Sequence, residues 1–598
     1  MKRRKVIVLC FFFISLGVNS NVLLVPSPYS TIQAALNAAS SGDTILVSSG
    51  VYYENIVWPN VQGLKLFSVG GSSNTHIDAN HNGRPLTFNG QISLDSTTII
   101  QGFSIRNGYV SSMPCVGGGI YIENGDIQLI ELNIHSNMLS HPWDSASGGG
   151  ICILNSNPLI KNTKVEYNSI IGQDARGGGL ACIYSDPQII SSSFNNNYLK
   201  GTIWSIGGGM YINFESNPVI SNSEFNHNYF EDSLSRYYGG GLYSATLSNP
   251  ILKNVSIRSN YMGDYGTFYN GGGAYFTLGD SIVLDDVVID SNYCSGIDGS
   301  WAYGAGLFIN KGPYDKTIPV TRFFMKNVKI TNNKGAFGNW SKGGGIYIDE
   351  CDTVIGINLL IADNILDIDQ DGYGGGIFIK DSCNLILINS TIANNKVSNI
   401  GDFYGSGLFS EYGKTTAMNC IFWNPNSLNE IVNIHSNLSA SYSDILGGYS
   451  GLSNINLSPL FIGNGNYHLQ SNSPCAGTGN PIGAPTFDID NNIRPWPVGT
   501  NPDMGAYEDS TEPNLIEDNP FTSPFMIIPN PAYHKIKIIH SKNPKTKLEI
   551  FNLIGELLIQ KKLFQNTTEL DIGFLSPGIY FFRVSGDDWA DQQKLIKK

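Results

Sequence analysis

The sequence predicts an all-β solenoid of stacked coils, followed by a small separate β domain. Three observations carry that expectation. A glycine triplet followed by an apolar–aromatic–apolar tripeptide recurs through residues 117–424, as in Gly117-Gly118-Gly119-Ile120-Tyr121-Ile122 and Gly343-Gly344-Gly345-Ile346-Tyr347-Ile348. Most copies start roughly thirty residues apart, a period that signals a repeat array. A second phrase, an aliphatic residue or Phe with Asn three positions on, ends at Asn137, Asn168, Asn197 and six later Asn residues. It follows its triplet by 20 or 21 residues in every copy but one. The exception, Gly304 to Asn333, is read as an insertion at 311–321. Finally, no helical period runs through the block; short alternating segments are separated by turn pairs such as Asn157-Pro158 and Asp186-Pro187.

Each repeat is therefore several short strands, too small to bury its own face, and stacking the copies buries one continuous core. Ile120, Leu180 and Met210, the first residues of their tripeptides, are core positions by alternation. The glycines permit a tight corner. The Asn side chains, each able to donate and accept, can satisfy one another from coil to coil. This pattern resembles a right-handed parallel β-helix, whose interiors carry asparagine ladders. It also resembles the GGA(I/L/V) and FxxN repeats of polymorphic outer-membrane proteins. The resemblance implies a β-helix over 21–470, with its regular repeats at 117–424.

The remaining elements fit around that block. Lys2-Arg3-Arg4-Lys5, an apolar run and a permissive Val18-Asn19-Ser20 make residues 1–20 a secretory signal peptide. The run is too short for a membrane span, and no other stretch is long enough. Ser30-Thr31-Ile32-Gln33 reads as a capping box with Ser30 as N-cap. An apolar helical face of Ile32, Ala35, Leu36 and Ala39 follows. Gly42-Asp43-Thr44-Ile45, Val47, Gly50 and Glu54 resemble the opening of β-helix proteins from pectate lyases to pectin esterases, which implies a helix capping the open end. Residues 471–509, with Asp488-Ile489-Asp490-Asn491, Arg494-Pro495 and Asp503-Met504-Gly505-Ala506-Tyr507-Glu508, resemble the closing segment of bacterial choice-of-anchor β-helix proteins, read here as the second end cap. Residues 510–524 are a linker. Residues 525–598 alternate like a small β-sandwich. Their Pro529-Asn530-Pro531, the run from Ile550 to Leu558, Leu575-Ser576-Pro577-Gly578-Ile579-Tyr580 and the ending at Lys598 resemble the C-terminal sorting domain of type IX secretion. That resemblance implies handling by the type IX machinery and export from a Gram-negative cell to its surface or the extracellular space.

Eight cysteines follow the leader. Cys152 and Cys182 sit at different offsets from their triplets, on opposite faces, so mostly unpaired thiols are expected. Charge is uneven: the tail carries 11 basic and 7 acidic residues, whereas 21–524 carries 21 basic and 42 acidic. That surface repels nucleic acid and anionic glycans.

Two exterior features are candidates for function. The middle residues of the tripeptides, among them Tyr121, Tyr211, Tyr243, Tyr275, Phe308, Tyr347, Phe378 and Phe409, should form an outward ring ladder. The segments between each Asn and the next triplet read as loops on one side of the scaffold, rich in rings and carboxylates. Trp143, Trp204, Tyr237, Tyr269, Trp301, Trp340, Tyr373 and Tyr404 are the ligand-binding candidates there. Asp367, Asp369 and Asp371, alternating before Gly372, make calcium the cofactor to test, although the twelfth position of that loop is Phe378 rather than Glu. Asp488-Ile489-Asp490-Asn491-Asn492 is a weaker copy of the same spacing. No familiar lyase or polygalacturonase signature is present. The primary expectation is a non-catalytic binding or adhesion protein engaging a glycan or a surface protein. The alternative is a carbohydrate-active enzyme, a calcium-dependent polysaccharide lyase or a glycosidase, on the same fold.

Overall fold

The computed structural model describes residues 20–598 apart from 232–235, 278, 280, 297–299, 312–321, 337, 368–370, 399–402, 426–428, 510–524, 529–531, 541–545, 553–554, 564–566 and 587–589. The leader (all but Ser20) and the linker lie outside the described residues. The tripeptides form strands that pair in parallel with unbroken register, Ile120 to Ile151 to Leu180 to Met210 to Leu242. Among the described residues, these ten strands and three more, Ile56–Val57, Leu86–Leu94 and Ile431–Ile434, make one sheet of 13. A turn leads from it into a second, bent sheet of 26 strands. Its inner residues and those of the first sheet share one core running from Leu23 to Ile445.

The glycine triplet and the Asn phrase are locked together by contact. The first glycine of each triplet has positive φ, 57° at Gly117 and 65° at Gly207. The third lies against the ladder amide: a Cβ on Gly119 would stand 2.7 Å from Asn137 Nδ2. Each ladder Asn uses its whole amide. Asn168 Nδ2 donates to Ile134 O at 2.9 Å and Asn197 Oδ1 at 3.1 Å, while its own Oδ1 accepts from Asn137. The ladder crosses the insertion without a break, Asn292 donating to Asn333 at 2.9 Å. It ends on Glu430, which accepts from the Asn424 backbone N–H at 2.9 Å and from its side-chain amide.

The segments after each Asn, expected as loops, are strands. Met138–Ser147 pairs with Ser169–Arg176, and that with Tyr198–Ile206. Among the described residues they build a third parallel sheet of 16 strands. Each runs out and back, so the outgoing Leu139, Ile170, Leu199 and Phe230 bury against the returning Ala146, Ala175, Tyr237 and Tyr269. That second strip of core holds the excursions in register.

The N-terminal helix α1 (Ile32–Ala38) begins one residue later than expected. Thr31 is the N-cap, and its hydroxyl accepts from Ala34 N at 3.0 Å. Glu54, rather than Gln33, completes the cap: its carboxylate accepts from Ile32 N and Gln33 N, both at 2.8 Å. Gln33 instead pairs with the Val57 backbone in both directions. Asp43 accepts from Asn21 N and Ser40 N. The acidic residues of the opening motif therefore serve the fold.

At the other end, the last paired coil strand is Asp444–Ile445, against Ile421 and Phe422. Residues 461–469, placed in the solenoid by the sequence reading, form an antiparallel hairpin. The closing segment does not simply cap the end. It folds back along the side, packing Ile489, Ala506 and Tyr507 on Leu360, Ala362 and Ala393. Arg494 fixes it there: fully buried, it donates to Glu508 at 2.8 Å, Asn358 Oδ1 at 2.8 Å and Gly505 O at 3.0 Å. The tail forms two antiparallel sheets of three and four strands around one buried cluster that includes Ile536, Leu548 and Phe582.

Two stability outcomes follow. Asn228→Ala orphans Asn197 and the Phe194 carbonyl in a fully buried ladder, and unfolding in urea should show a loss of about 3 kcal/mol or more. Burial pushes Glu430 from its ordinary 4.5 up to about 7. The folded state then holds a proton that the unfolded chain releases above pH 4.5. Its contribution to stability is greatest below that pH and is lost as pH rises through about 7, by up to roughly 3 kcal/mol. The urea midpoint should be higher at pH 5 than at pH 8, and Glu430→Gln should narrow the difference, the buried Asp285, Asp444 and Glu508 carboxyls, also raised, supplying the rest.

Candidate functional site

The tripeptide ladder and the returning strands of the third sheet meet at the glycine corner. Their outer faces form the two walls of a groove of about 500 Å³. Its floor is the Tyr243, Tyr275, Phe308 and Tyr347 stretch of the ring ladder. Tyr211, Tyr243, Tyr275, Phe308, Tyr347, Phe378 and Phe409 stack with centroids 4.5–5.5 Å apart and planes within 12° of parallel. The parallel register spaces the strands so that rings on consecutive coils touch.

The ladder is not an open outward stripe, as the sequence suggested. Tyr211, Phe308, Tyr347, Phe378 and Phe409 are buried. The returning strands lay side chains over them: Tyr238 sits edge-on to Tyr275 at 5.5 Å, Tyr303 stacks on Tyr347 at 5.0 Å, and Lys342 stands 4.7 Å over Phe378. Between Tyr238 and Tyr303 the equivalent residue is the smaller Asn270, and the groove opens there. Trp204, Phe268 and Trp301 form the outer wall.

Polar groups are few and placed on the floor and rim. Asp349 follows Tyr347 by two residues, so strand alternation points it to the same face. Its Oδ2 accepts from the Tyr347 hydroxyl at 3.2 Å. Its Oδ1 is buried without a hydrogen-bond partner among the described residues, as is Asn270 Oδ1. Burial raises the Asp349 carboxyl above the usual carboxylate range, against the pull of Lys380. Burial likewise lowers the Lys342 ammonium. Asn270, Asn310 and Asp349 were not singled out from the sequence. Extending the tripeptide alternation by one step would have found Asn310 and Asp349.

The predicted ligand-binding residues divide. Trp204 and Trp301 line the groove. Tyr373 packs edge-on to Phe409 at 5.0 Å, on the same face farther along. Trp340 and Tyr404 pair by backbone with Trp301 and Tyr373, but their side chains lie outside the described residues. Trp143 is 86% exposed at the tip of an excursion, away from the groove. Tyr237 and Tyr269 are corrected: both are fully buried in the excursion core, their hydroxyls donating to Glu231 O at 2.9 Å and Gly263 O at 2.8 Å. They face inward because they are the middle residues of the returning strands, opposite in parity to Trp204 and Trp301.

Of the calcium candidates, Asp369 and the side chain of Asp371 lie outside the described residues. Asp367 is engaged by Lys334 at 3.1 Å and Ser398 Oγ at 3.0 Å. Asp488 organises its own turn, accepting from the backbone N–H groups of Asp490, Asn492 and Glu508. Asp490 pairs with Lys329 and His468, whose hydrogen bonds hold it down at about 2. Among the described residues, no group of three or more His, Cys, Asp or Glu side chains is placed to share a metal ion. His135, isolated in the sequence, approaches Ser104 Oγ at 3.1 Å, but Ser104 is 1% exposed and out of reach of a substrate.

Cys182 lies in the main core and Cys152 on the opposite face, as the offsets predicted. All eight cysteines of the described chain are free and buried. Burial pushes the Cys115 thiol to about 11 and those of Cys152, Cys294 and Cys420 to about 12. A thiol-specific disulfide reagent at pH 8 should therefore titrate none of the eight in the native chain and all of them in denaturant.

Residues 526–598 match the family model described as a secretion system C-terminal sorting domain, and residues 90–300 that described as a right handed beta helix region. No curated protein matches the chain. Among the described residues, no helix is long and apolar enough to cross a membrane. The chain carries a right-handed parallel β-helix joined to a type IX sorting domain, which implies export to the cell surface or the extracellular space.

Proposed function

We propose that the exported β-helix binds a neutral glycan in the ring-lined groove, without turning it over. The carrying observation is the pairing of half-buried rings with orphaned acceptors. Trp204, Trp301 and Tyr303 offer faces to the apolar side of a sugar ring, and Asp349 Oδ1 and Asn270 Oδ1 lack the donors that sugar hydroxyls supply. The acidic solenoid disfavours uronate and sulfate chains.

Catalysis has less support. A glycosidase needs two carboxylates about 5–9.5 Å apart across the bond. Asp349 is the one carboxylate among the described residues lining the groove. The Asp285-Asp286 pair lies in the bent sheet, where Asp286 occupies a positive-φ turn and donates nothing to the groove.

Titration calorimetry with neutral hexasaccharides of different linkage should find at least one binder. Trp301→Ala should weaken it by roughly tenfold, the size of one lost stacking partner. Asp349→Ala should weaken it further, whereas Trp143→Ala should leave it unchanged. Binding by none of them, or release of new reducing ends or unsaturated products, would remove this reading.

A further inference from the structure

A second groove, of about 570 Å³, runs along the bend of the 26-stranded sheet. At that bend each coil turns through one residue of positive φ, near 50° at Asn162, Asn222 and Asn254 and again at Asn358, Asn389 and Asn419. Asn tolerates this conformation well, which explains its repetition there. Ser191 and Asp286 hold the same turn on coils of the earlier half. The two halves of the row differ most in what covers them. In the later half the closing segment lies on it. Asn358 Nδ2 donates to Phe487 O at 2.8 Å, Asn389 Nδ2 to Asp503 O at 3.0 Å and Asn419 Nδ2 to Asn480 O at 2.9 Å. Asn358 and Asn419 also donate along the row, to Asn327 and Asn389 respectively.

In the earlier half the along-row bond persists, from Asn254 Nδ2 to Asn222 Oδ1 at 2.8 Å. The outward donors of Asn162, Asn222 and Asn254 meet no partner among the described residues. Lys164 and Arg258 flank them and form no ion pair among the described residues, whereas Glu224 is already held by Asn195 and Asn226, and Asp286, the next turn residue of the row, accepts from Asn327 Nδ2 at 3.0 Å. No ring lines this groove, so it lacks the stacking face that a sugar requires.

We infer that the open half of this Asn row seats a polypeptide segment of a partner, bound as the chain binds its own closing segment. The partner's backbone carbonyls accept from Asn162, Asn222 and Asn254, and its carboxylates from Lys164 and Arg258. The surface is continuous with an interface the molecule already uses, and its donors match what a turn-rich peptide presents.

The test is selection of a random dodecapeptide library on the full chain. The enriched peptides are then synthesised and titrated by fluorescence anisotropy. Asn222→Gly with Asn254→Gly is the diagnostic variant, because glycine keeps the positive φ and removes only the amides. Far-UV circular dichroism checks that it folds. The double variant should bind at least tenfold more weakly, and Lys164→Gln more weakly by a smaller factor, whereas Trp301→Ala should bind as the parent does. Hydrogen exchange should slow on peptide addition in Val219–Glu224 and Ile251–Arg258. No enrichment over an unrelated acidic protein, peptides indifferent to the double variant, or a neutral hexasaccharide whose binding is lost in it would each overturn the inference. Glycan binding lost only in Trp301→Ala concerns the ring-lined groove and leaves this one standing.

Discussion

The structure depends on how closely one coil can approach the next at the glycine corner. There the backbone passes directly over the ladder amides, and a single Cβ on Gly119 would press into Asn137 Nδ2. Three glycines remove the side chains, and one Asn per coil fills the remaining polar need. Neither works alone. Glycine without the Asn leaves backbone donors and carbonyls unpaired in a buried interior, and each such group costs about 1–3 kcal/mol. Asn without the glycines has no room. The fixed step of 20 or 21 residues between the two phrases is this contact written in sequence.

That constraint also explains what was legible beforehand. Positions coupled by contact recur at fixed spacing, so the strands, the axis, the core parity of Ile120 and Leu180, and the separation of Cys152 from Cys182 could all be read. The excursions after each Asn could not. Their order comes from neighbours in the next coil, Leu139 on Ile170 on Leu199, and a segment that varies in length and composition from copy to copy hides such pairing. Taking them for loops exchanged inside for outside at Tyr237 and Tyr269, while Trp204 and Trp301 kept the facing expected of them. The capping box failed for a related reason. Gln33 satisfied the local pattern, but Glu54 on the next coil reached the helix first with two charge-assisted bonds.

Stacking in register has a further consequence for binding. Every outward position becomes a row, so a change at one coil makes a local opening in an otherwise uniform surface. Asn270 between Tyr238 and Tyr303 does this in the ring-lined groove, where a smaller side chain bares the rings beneath. The bend of the large sheet shows the opposite case. There the positive-φ turn recurs from coil to coil, held mostly by Asn with Ser191 and Asp286 among them, and what varies most is whether the chain's own closing segment covers it.

The two grooves therefore present different chemistry for a reason rooted in strand parity. The ring-lined groove is made of residues that alternate away from the core on two sheets, where aromatic side chains stack from coil to coil. The Asn row is made of turn residues, selected by backbone conformation, and short polar side chains, Asn most often, suit that conformation. Buried Arg494 ties the closing segment to this row through Asn358, so the later half of the row is committed to holding the end of the solenoid. The earlier half carries the same backbone geometry without that task. A repeat protein that must present identical turns along its length to keep its coils aligned thus retains binding chemistry beyond the stretch its own fold consumes.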